Sequence, residues 1–301
     1  MPDELPTRYR SSEEDSGRWL GFPFRTGDIV ISTRSKAGTT WMQMICALMI
    51  HQTPDLPLPL AELSPWLDWL ITPREKIYEQ LAAQSQRRVI KTHTPLDGIV
   101  LDPRATYIVV GRHPLDAAVS LYHQGDNINR QRLRQLTAEP EPELPSPARP
   151  PVHEWLVEWI EADPDPHEAL DSLPGVMWHL SDAWARRHEA NVCLVHFDDL
   201  CGDLEGEMRR LAGLLEITVS EEAWPELVEA ASFESMRAGV DRISPDPSGV
   251  LKDKAAFFRR GTSGAGLELL SEDEVARYRA RLSHLAAPEV LAWLHRDVQP
   301  T

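Results

Sequence analysis

The sequence predicts an α/β fold: a single domain spanning residues 1–301, with a mostly parallel sheet, helices on both faces and a P-loop-like turn after the first strand. Three observations point there. Short β-rich apolar segments at 28–32, 87–91, 105–110 and 192–197 alternate with stretches of helical periodicity. The segment at 105–110 is continuously apolar, as in a strand buried on both faces. The 301 residues, 42% hydrophobic and 26% charged, suffice for one large core. In such sheets ligands sit beyond the carboxyl ends of the strands.

Composition narrows the function. A formal net charge of −16 argues against a general nucleic-acid binder. It also makes clustered basic residues informative, because an anionic ligand here needs a local positive pocket. Cys46, Cys193 and Cys201 have no metal-ligand spacing, and an odd count gives no disulfide framework, which fits a reducing, cytoplasmic setting. The opening MPDELPTRYRSSEEDSG is polar and acidic, unlike a signal peptide. No apolar run approaches the ~20 residues that span a bilayer. The oligomeric state stays open, a homodimer included.

Taken in order, residues 1–20 read as loosely ordered, and Gly21-Phe22-Pro23-Phe24 leads into the first strand. The stretch at 28–52 organises the rest. Ile29-Val30-Ile31 is β-rich, Thr33-Arg34-Ser35-Lys36-Ala37-Gly38 is a tight polar turn, and Trp41, Met44, Ile45, Leu48 and Met49 then fall at helical spacing. Free N–H groups and the macrodipole make the start of that helix an anion site. Lys36 adds a mobile charge, Gly38 lets the backbone approach a ligand, and Thr39 and Thr40 offer hydroxyls. An ordinary buried βα unit would read the same over this stretch alone. A Walker loop, G-x-x-x-x-G-K-[ST], does not match, since the lysine precedes the glycine.

Residues 53–59 form a proline-broken loop. Trp66 and Trp69 stand three apart on an expected short helix, as core or as the wall of an apolar pocket. Residues 73–84 read as an amphipathic helix opened by Pro73. The strand at 87–91 runs into the turn Thr92-His93-Thr94-Pro95, where a histidine is commonly structural. The strand at 105–110 ends in Gly111-Arg112-His113-Pro114, and a helix follows with Asp116 in its first turn. Arg112 and Ser120 are eight apart, which brings a guanidinium and a hydroxyl to one side of the crossover.

Residues 124–176 read as an insertion, not a linker, with a Pro- and Glu-rich extended loop at 139–151. Helices near 153–160 and 176–189 carry Trp155, Trp159, Trp178 and Trp184 as core stripes. After the strand at 192–197, Asp198-Asp199-Leu200 opens another helix. Arg259-Arg260-Gly261 suits a phosphate clamp, or in isolation a solvated basic turn. Residues 271–295 read as two helices, the first entered through Ser271-Glu272-Asp273-Glu274.

Together these segments resemble the cytosolic-type sulfotransferases that use 3′-phosphoadenosine 5′-phosphosulfate (PAPS). Lys36-Ala37-Gly38-Thr39-Thr40-Trp41 is similar to the family's phosphosulfate loop P-K-S-G-T-T-W, with Ser35 and Ala37 replacing proline and serine. Lys91-Thr92-His93-x-Pro95 resembles K-T-H-x-P, whose histidine is the catalytic base. Val110, Arg112, Pro114, Asp116, Val119, Ser120, Tyr122 and His123 match the 3′-phosphate motif V-x-R-N-P-x-D-x-x-V-S-x-Y-H, with His113 for asparagine. Phe197 stands where the tyrosine of Y-E-D-L contacts adenine, and Ser232-Phe233 with Met236 resembles the base-packing S-F-x-x-M. Arg259, Arg260, Gly261 and Gly264 follow R-K-G-x-x-G-D-W, with Ala265-Gly266 where Asp-Trp is usual.

The resemblance covers most of the chain, with its motif blocks in the family's order. It implies sulfuryl transfer from PAPS to a hydroxyl or amine of an apolar or aromatic small molecule or a lipid, leaving adenosine 3′,5′-bisphosphate (PAP). His93 is then the general base, Lys36 the leaving-group stabiliser, and Lys91 an aid at the transferring group. The loop from Lys36 to Trp41 holds the 5′ end. Arg112, Ser120, Arg259, Arg260 and Gly261 hold the 3′-phosphate. Trp41, Phe197, Phe233 and Met236 pack on adenine. The acceptor pocket is assigned to Phe22, Phe24, Trp66, Trp69, Tyr122 and the 124–176 insertion. No metal is expected, since no Walker B aspartate or ligand cluster is evident. Independently of the resemblance, Lys36, His93 and Arg112 all lie just past predicted strand ends. Two other functions remain in view: a P-loop nucleotide kinase, which needs Mg²⁺ ligands and a lysine after the glycine, and a non-catalytic nucleotide-binding module, which has no need of His93.

Overall fold

The β-branched and apolar segments pair as parallel strands in a computed structural model that describes residues 5–138, 140, 148–244, 246 and 248–296. The strands are β1 (Ile29–Ser32), β2 (Val89–Thr92), β3 (Thr106–Gly111) and β4 (Val192–His196), in the order β2-β1-β3-β4. All pairings are parallel; Ser32 lies opposite both Thr92 and Val109, and Gly111 opposite His196. The strand ends therefore fall along one edge of the sheet.

Alternation along the strands builds two cores. Val30, Ile90, Tyr107 and Val109 face one way, while Ile29, Ile31, Ile108 and Val110 face the other. The helices are α1 (Thr39–His51), the short α2 (Leu60–Leu63), α3 (Arg74–Ala83), α4 (Pro114–Asn127), α5 (Arg130–Thr137), α6 (Val152–Glu161), α7 (Leu173–Ala185), α8 (Phe197–Gly202), α9 (Leu204–Leu214), α10 (Trp224–Ala230), α11 (Phe233–Ala238), α12 (Val240–Ile243), α13 (Glu272–Leu285) and α14 (Pro288–Leu294). Leu156, Met177, Tyr278 and Leu294 bring α6, α7, α13 and α14 to the first face. Ile45, Leu48, Met208 and Trp224 bring α1, α9 and α10 to the second. Helix α1 is buried on most sides, since apolar residues run almost all round it and the buried Gln43 amide donates to Ser64. Helix α13 starts at the expected capping box, with Ser271 and Glu274 each capping the other's backbone.

Two expectations fail locally, each for a packing reason. Residues 5–20 are not loose: Tyr9 and Trp19 are buried, and Asp15 caps a 3-10 turn at Ser16–Trp19 while pairing with Arg8. Those two aromatics anchor a segment whose polarity suggested a tail. Trp66 and Trp69 do not ride a helix. Trp66 bridges to Lys91 and Trp69 to Glu14 in extended backbone, because the outer edge of β2 offers unpaired groups that Pro65 and Leu67 satisfy through Lys91. The stretch at 124–176, expected as an insertion and not a linker, carries the end of α4, all of α5 and α6, and the start of α7, with α6 packed on α4 and α13. Most of the expected loop at 139–151 lies outside the described residues.

Candidate active site

The loop after β1 turns sharply enough to expose its own amides. Lys36 (φ 65°) and Gly38 (φ 107°) both adopt left-handed backbone, and a Cβ at Gly38 would sit 3.2 Å from the Phe197 ring. No side chain caps α1, so its first N–H groups face the ligand space past the sheet edge. Thr33 and Thr39 share a buried hydroxyl hydrogen bond beneath the loop.

Three ligand-facing cations converge there. Lys36 Nζ lies 3.9 Å over the Phe257 ring and 3.5 Å from Gln124 Oε1. Burial, then the charges of Arg112, Lys91 and Arg259, pulls its ammonium down to about 7. Lys91 stands 3.9 Å over the Trp66 ring, and burial brings it to about 8. Arg112 donates through Nη1 to the Lys36 carbonyl at 2.9 Å and stacks 4.2 Å over Phe197. Its Nε is buried without a hydrogen-bond partner, which leaves a donor ready for an anion.

His93 sits among them. Its Nδ1 meets the Thr33 carbonyl, which only an N–H can satisfy, so Nε2 on the opposite side of the ring keeps the lone pair. Burial first, then Lys91 and Arg34, holds the imidazole well below its usual range and therefore neutral at pH 7. The Trp66 and His93 rings meet nearly at right angles with centroids 4.7 Å apart, and Trp66 stacks on Trp69 at 5.0 Å.

The C-terminal segment closes the site. Asp116, buried in the first turn of α4, accepts from the N–H groups of Gly264 and Gly266, each at 2.8 Å. A Cβ at Gly266 would meet Leu115 at 2.3 Å, which explains why no large side chain stands there. This clasp brings Arg259 and Gly261 over the sheet edge. Gly261 (φ 71°) packs against Phe233, leaving 2.6 Å for any Cβ. Arg259 forms no ion pair among the described residues, whereas Arg260 forks onto Glu268 at 2.8 Å through both nitrogens.

One cavity of about 320 Å³ runs through this constellation. Lys36, Gly38, Thr39, Thr40 and Trp41 line it from the first loop. Lys91, His93, Trp66 and Trp69 form its far wall, and Arg112, Ser120, Arg259, Arg260 and Gly261 its opposite end. Phe197, Phe233 and Met236 line the aromatic side between them. A free helix N-terminus, an orphaned guanidinium nitrogen and a lysine near neutrality fit a ligand with two separated anionic groups.

Four expected residues lie elsewhere. Phe22 and Phe24 are packed edge-to-face at 4.8 Å in the core with Trp19 and Tyr78, where Phe22 also covers Arg88. Tyr122 donates to the Pro150 carbonyl at 2.8 Å beneath Arg149 and does not reach the cavity. Ala37 is buried under its loop. The far wall instead gains Glu14 and Asp171, which no motif announced. Burial, reinforced by Asp68 and Asp171, raises the Glu14 carboxyl to about 8 despite Arg34 and Lys91.

Fold and site together describe a parallel α/β protein with a cation-lined cavity suited to a polyanion beside a buried neutral histidine. The comparisons narrow the class. The family model described as the sulfotransferase domain matches residues 26–281, and the chain belongs to that family: it is a sulfotransferase. It is 40% identical over 307 residues to a glycolipid sulfotransferase of Mycobacterium bovis, covering 95% of this chain and 93% of that one. A glycolipid sulfotransferase of Mycobacterium tuberculosis is likewise 40% identical, with the same coverage. A retinol dehydratase solved with retinol and PAP shares the fold, with a TM-score of 0.68 at 20% identity over 95% of this chain and 86% of that one.

Proposed function

We propose that the chain moves a sulfuryl group from PAPS to a hydroxyl on a lipid acceptor, with His93 as general base. The observation that carries this is the lone-pair nitrogen of a neutral His93 in the same cavity as Lys36 and the uncapped start of α1. The loop from Lys36 to Trp41 takes the phosphosulfate; Arg112, Ser120, Arg259 and the Gly261 turn take the 3′-phosphate. Trp41, Phe197, Phe233 and Met236 hold the adenine. Arg260, already paired with Glu268, contributes less than Arg259.

In the reaction the acceptor oxygen bonds to sulfur as the bond from sulfur to the bridging phosphate oxygen breaks. The hydroxyl proton passes to His93 Nε2, and PAP leaves. The transition state is loose, so positioning and charge stabilisation supply most of the rate. Lys36 neutralises the leaving oxygen and Lys91 the sulfuryl oxygens, a task assigned to them rather than to a metal ion. A bound donor anion also offsets the Lys91 and Arg34 charges that depress His93, moving the base toward its working range.

For the acceptor, the names of the mycobacterial relatives support a glycolipid. The cavity offers apolar Leu121, Ile128 and Leu133 for a chain, and Glu14 for a hydroxyl. The proposed setting is the cytoplasm; no helix among the described residues is long and apolar enough to cross a membrane. The test uses labelled PAPS with glycolipid, sterol and phenol acceptors. His93→Ala is expected to lose at least about a hundredfold in turnover with PAP affinity within a few-fold. Near wild-type turnover would remove His93 from the chemistry.

A further inference from the structure

The loop after β1 holds a second buried cation that the chemistry above does not use. Arg34 is only 4% exposed. Its Nη1 donates to the His93 main-chain carbonyl, and its Nη2 donates to Asp171 Oδ1 at 2.6 Å. Asp171 lies between α6 and α7 on the cavity wall, and its own carbonyl accepts from Trp159 Nε1 on α6 at 2.9 Å. Thr33, the preceding residue, holds the His93 ring through Nδ1. Two successive residues of one loop thus grip His93, one by its ring and one by its backbone.

A buried guanidinium with its Nε unpartnered is costly to keep. A fixed fork explains its presence, because one planar group spans a carbonyl and a carboxylate at set angles, which an ammonium does not. We propose that Arg34, anchored by Asp171, is a positioning residue for His93, setting where the base stands relative to the phosphate loop and the α6–α7 wall. This rests on His93 being the base.

The charged groups facing His93 are Lys91 from β2, Arg34 from the loop and His179 from α7. Glu14 and Asp68 lie against the same cations. Lys91, Arg34 and His179 each favour the neutral ring, and the Thr33 carbonyl opposes them. Removing the Arg34 charge therefore moves the acid limb of the pH–rate profile to higher pH, a charge-keeping replacement leaves it in place, and a merely structural role would keep its cost when His93 is absent.

The experiment measures kcat and donor KM from about pH 5 to pH 9 for Arg34→Lys, Arg34→Met and Asp171→Asn, each also in a His93→Ala background. Arg34→Met should lose roughly ten- to a hundredfold in kcat with donor KM within a few-fold, and its acid limb should move up. Arg34→Lys should show the kcat loss with the limb unmoved. Asp171→Asn, at a side chain 40% exposed, should lose several-fold in kcat, and it decides the matter if Arg34→Met fails to fold. In the His93→Ala background none of the three should cost anything further. Full losses retained in that background would overturn the proposal, as would an unchanged kcat in Asp171→Asn or an unmoved limb in a folded Arg34→Met. If His93→Ala alone keeps wild-type turnover, the base assignment fails instead, and the two failures are distinguishable.

Discussion

Raising the pH should weaken donor binding through Lys36. Its ammonium is pulled to about 7 by burial and by three neighbouring cations. An anion bound beside it restores the charged form, so the pKa is higher in the complex than in the free protein. The sign follows: affinity is full below pH 7 and falls as pH rises through the free value. One unit above that value about a tenth of the free protein is charged, so affinity falls about tenfold, or ~1.4 kcal/mol. Lys91, at about 8, adds a second and later step. Lys36→Arg stays charged throughout and should erase the first step alone. Calorimetric titration with PAP at about pH 6, 7 and 8, in buffers of different ionisation enthalpy, reads both affinity and proton uptake. The second phosphate ionisation of PAP near ~6 affects both proteins alike and cancels in the comparison. A wild-type affinity flat across this range would refute the reasoning, as would the same pH dependence in Lys36→Arg.

Other expectations concern the clasp and the core. Arg112→Ala should weaken PAP binding about ten- to a hundredfold while adenosine 5′-monophosphate binds within a few-fold of wild type; equal losses in calorimetry would move Arg112 to the 5′ end. Gly266→Ala should push the 264–266 segment off Asp116, since its Cβ meets Leu115 at 2.3 Å, and lower PAP affinity several-fold; an unaltered affinity would mean the clasp does not set Arg259. Asp28→Asn should cost ~3–5 kcal/mol in denaturant unfolding, because it leaves the buried Arg88 guanidinium half-paired, and a loss under ~1 kcal/mol would argue otherwise.

The residues proposed for the donor were legible as neighbours in the sequence because they lie in contiguous segments. Lys36 to Trp41 and Arg112 with Ser120 each lie on one loop and the helix it opens, so spacing alone converts to geometry. The same holds for the strands, whose β-branched runs sit within a residue or two of where they were expected. The acceptor half was not legible. Glu14 reaches the cavity by an antiparallel bridge to Trp69, a pairing 55 residues apart that no local pattern encodes. Asp171 matters through Arg34, 137 residues away. Phe22 and Phe24, assigned to the acceptor pocket, lie in the core instead, where Phe22 covers the Arg88 that pairs with Asp28. Phe197 in place of tyrosine keeps a face for Arg112 at 4.2 Å, which composition could not foretell.

The clasp of Asp116 on Gly266 ties residues 150 positions apart, close to the end of a chain of 301. A nascent chain leaving the ribosome can close its sheet once β4 has emerged, yet Asp116 meets its partners only after residue 266 has followed. Long-range closure of this kind is slow to form and late to contribute stability. In the proposed site nucleotide joins the loop after β1 to the 259–261 turn. At a hundredfold excess over its dissociation constant a ligand of the folded state adds about 2.7 kcal/mol, so saturating nucleotide is expected to slow unfolding and proteolysis of this protein.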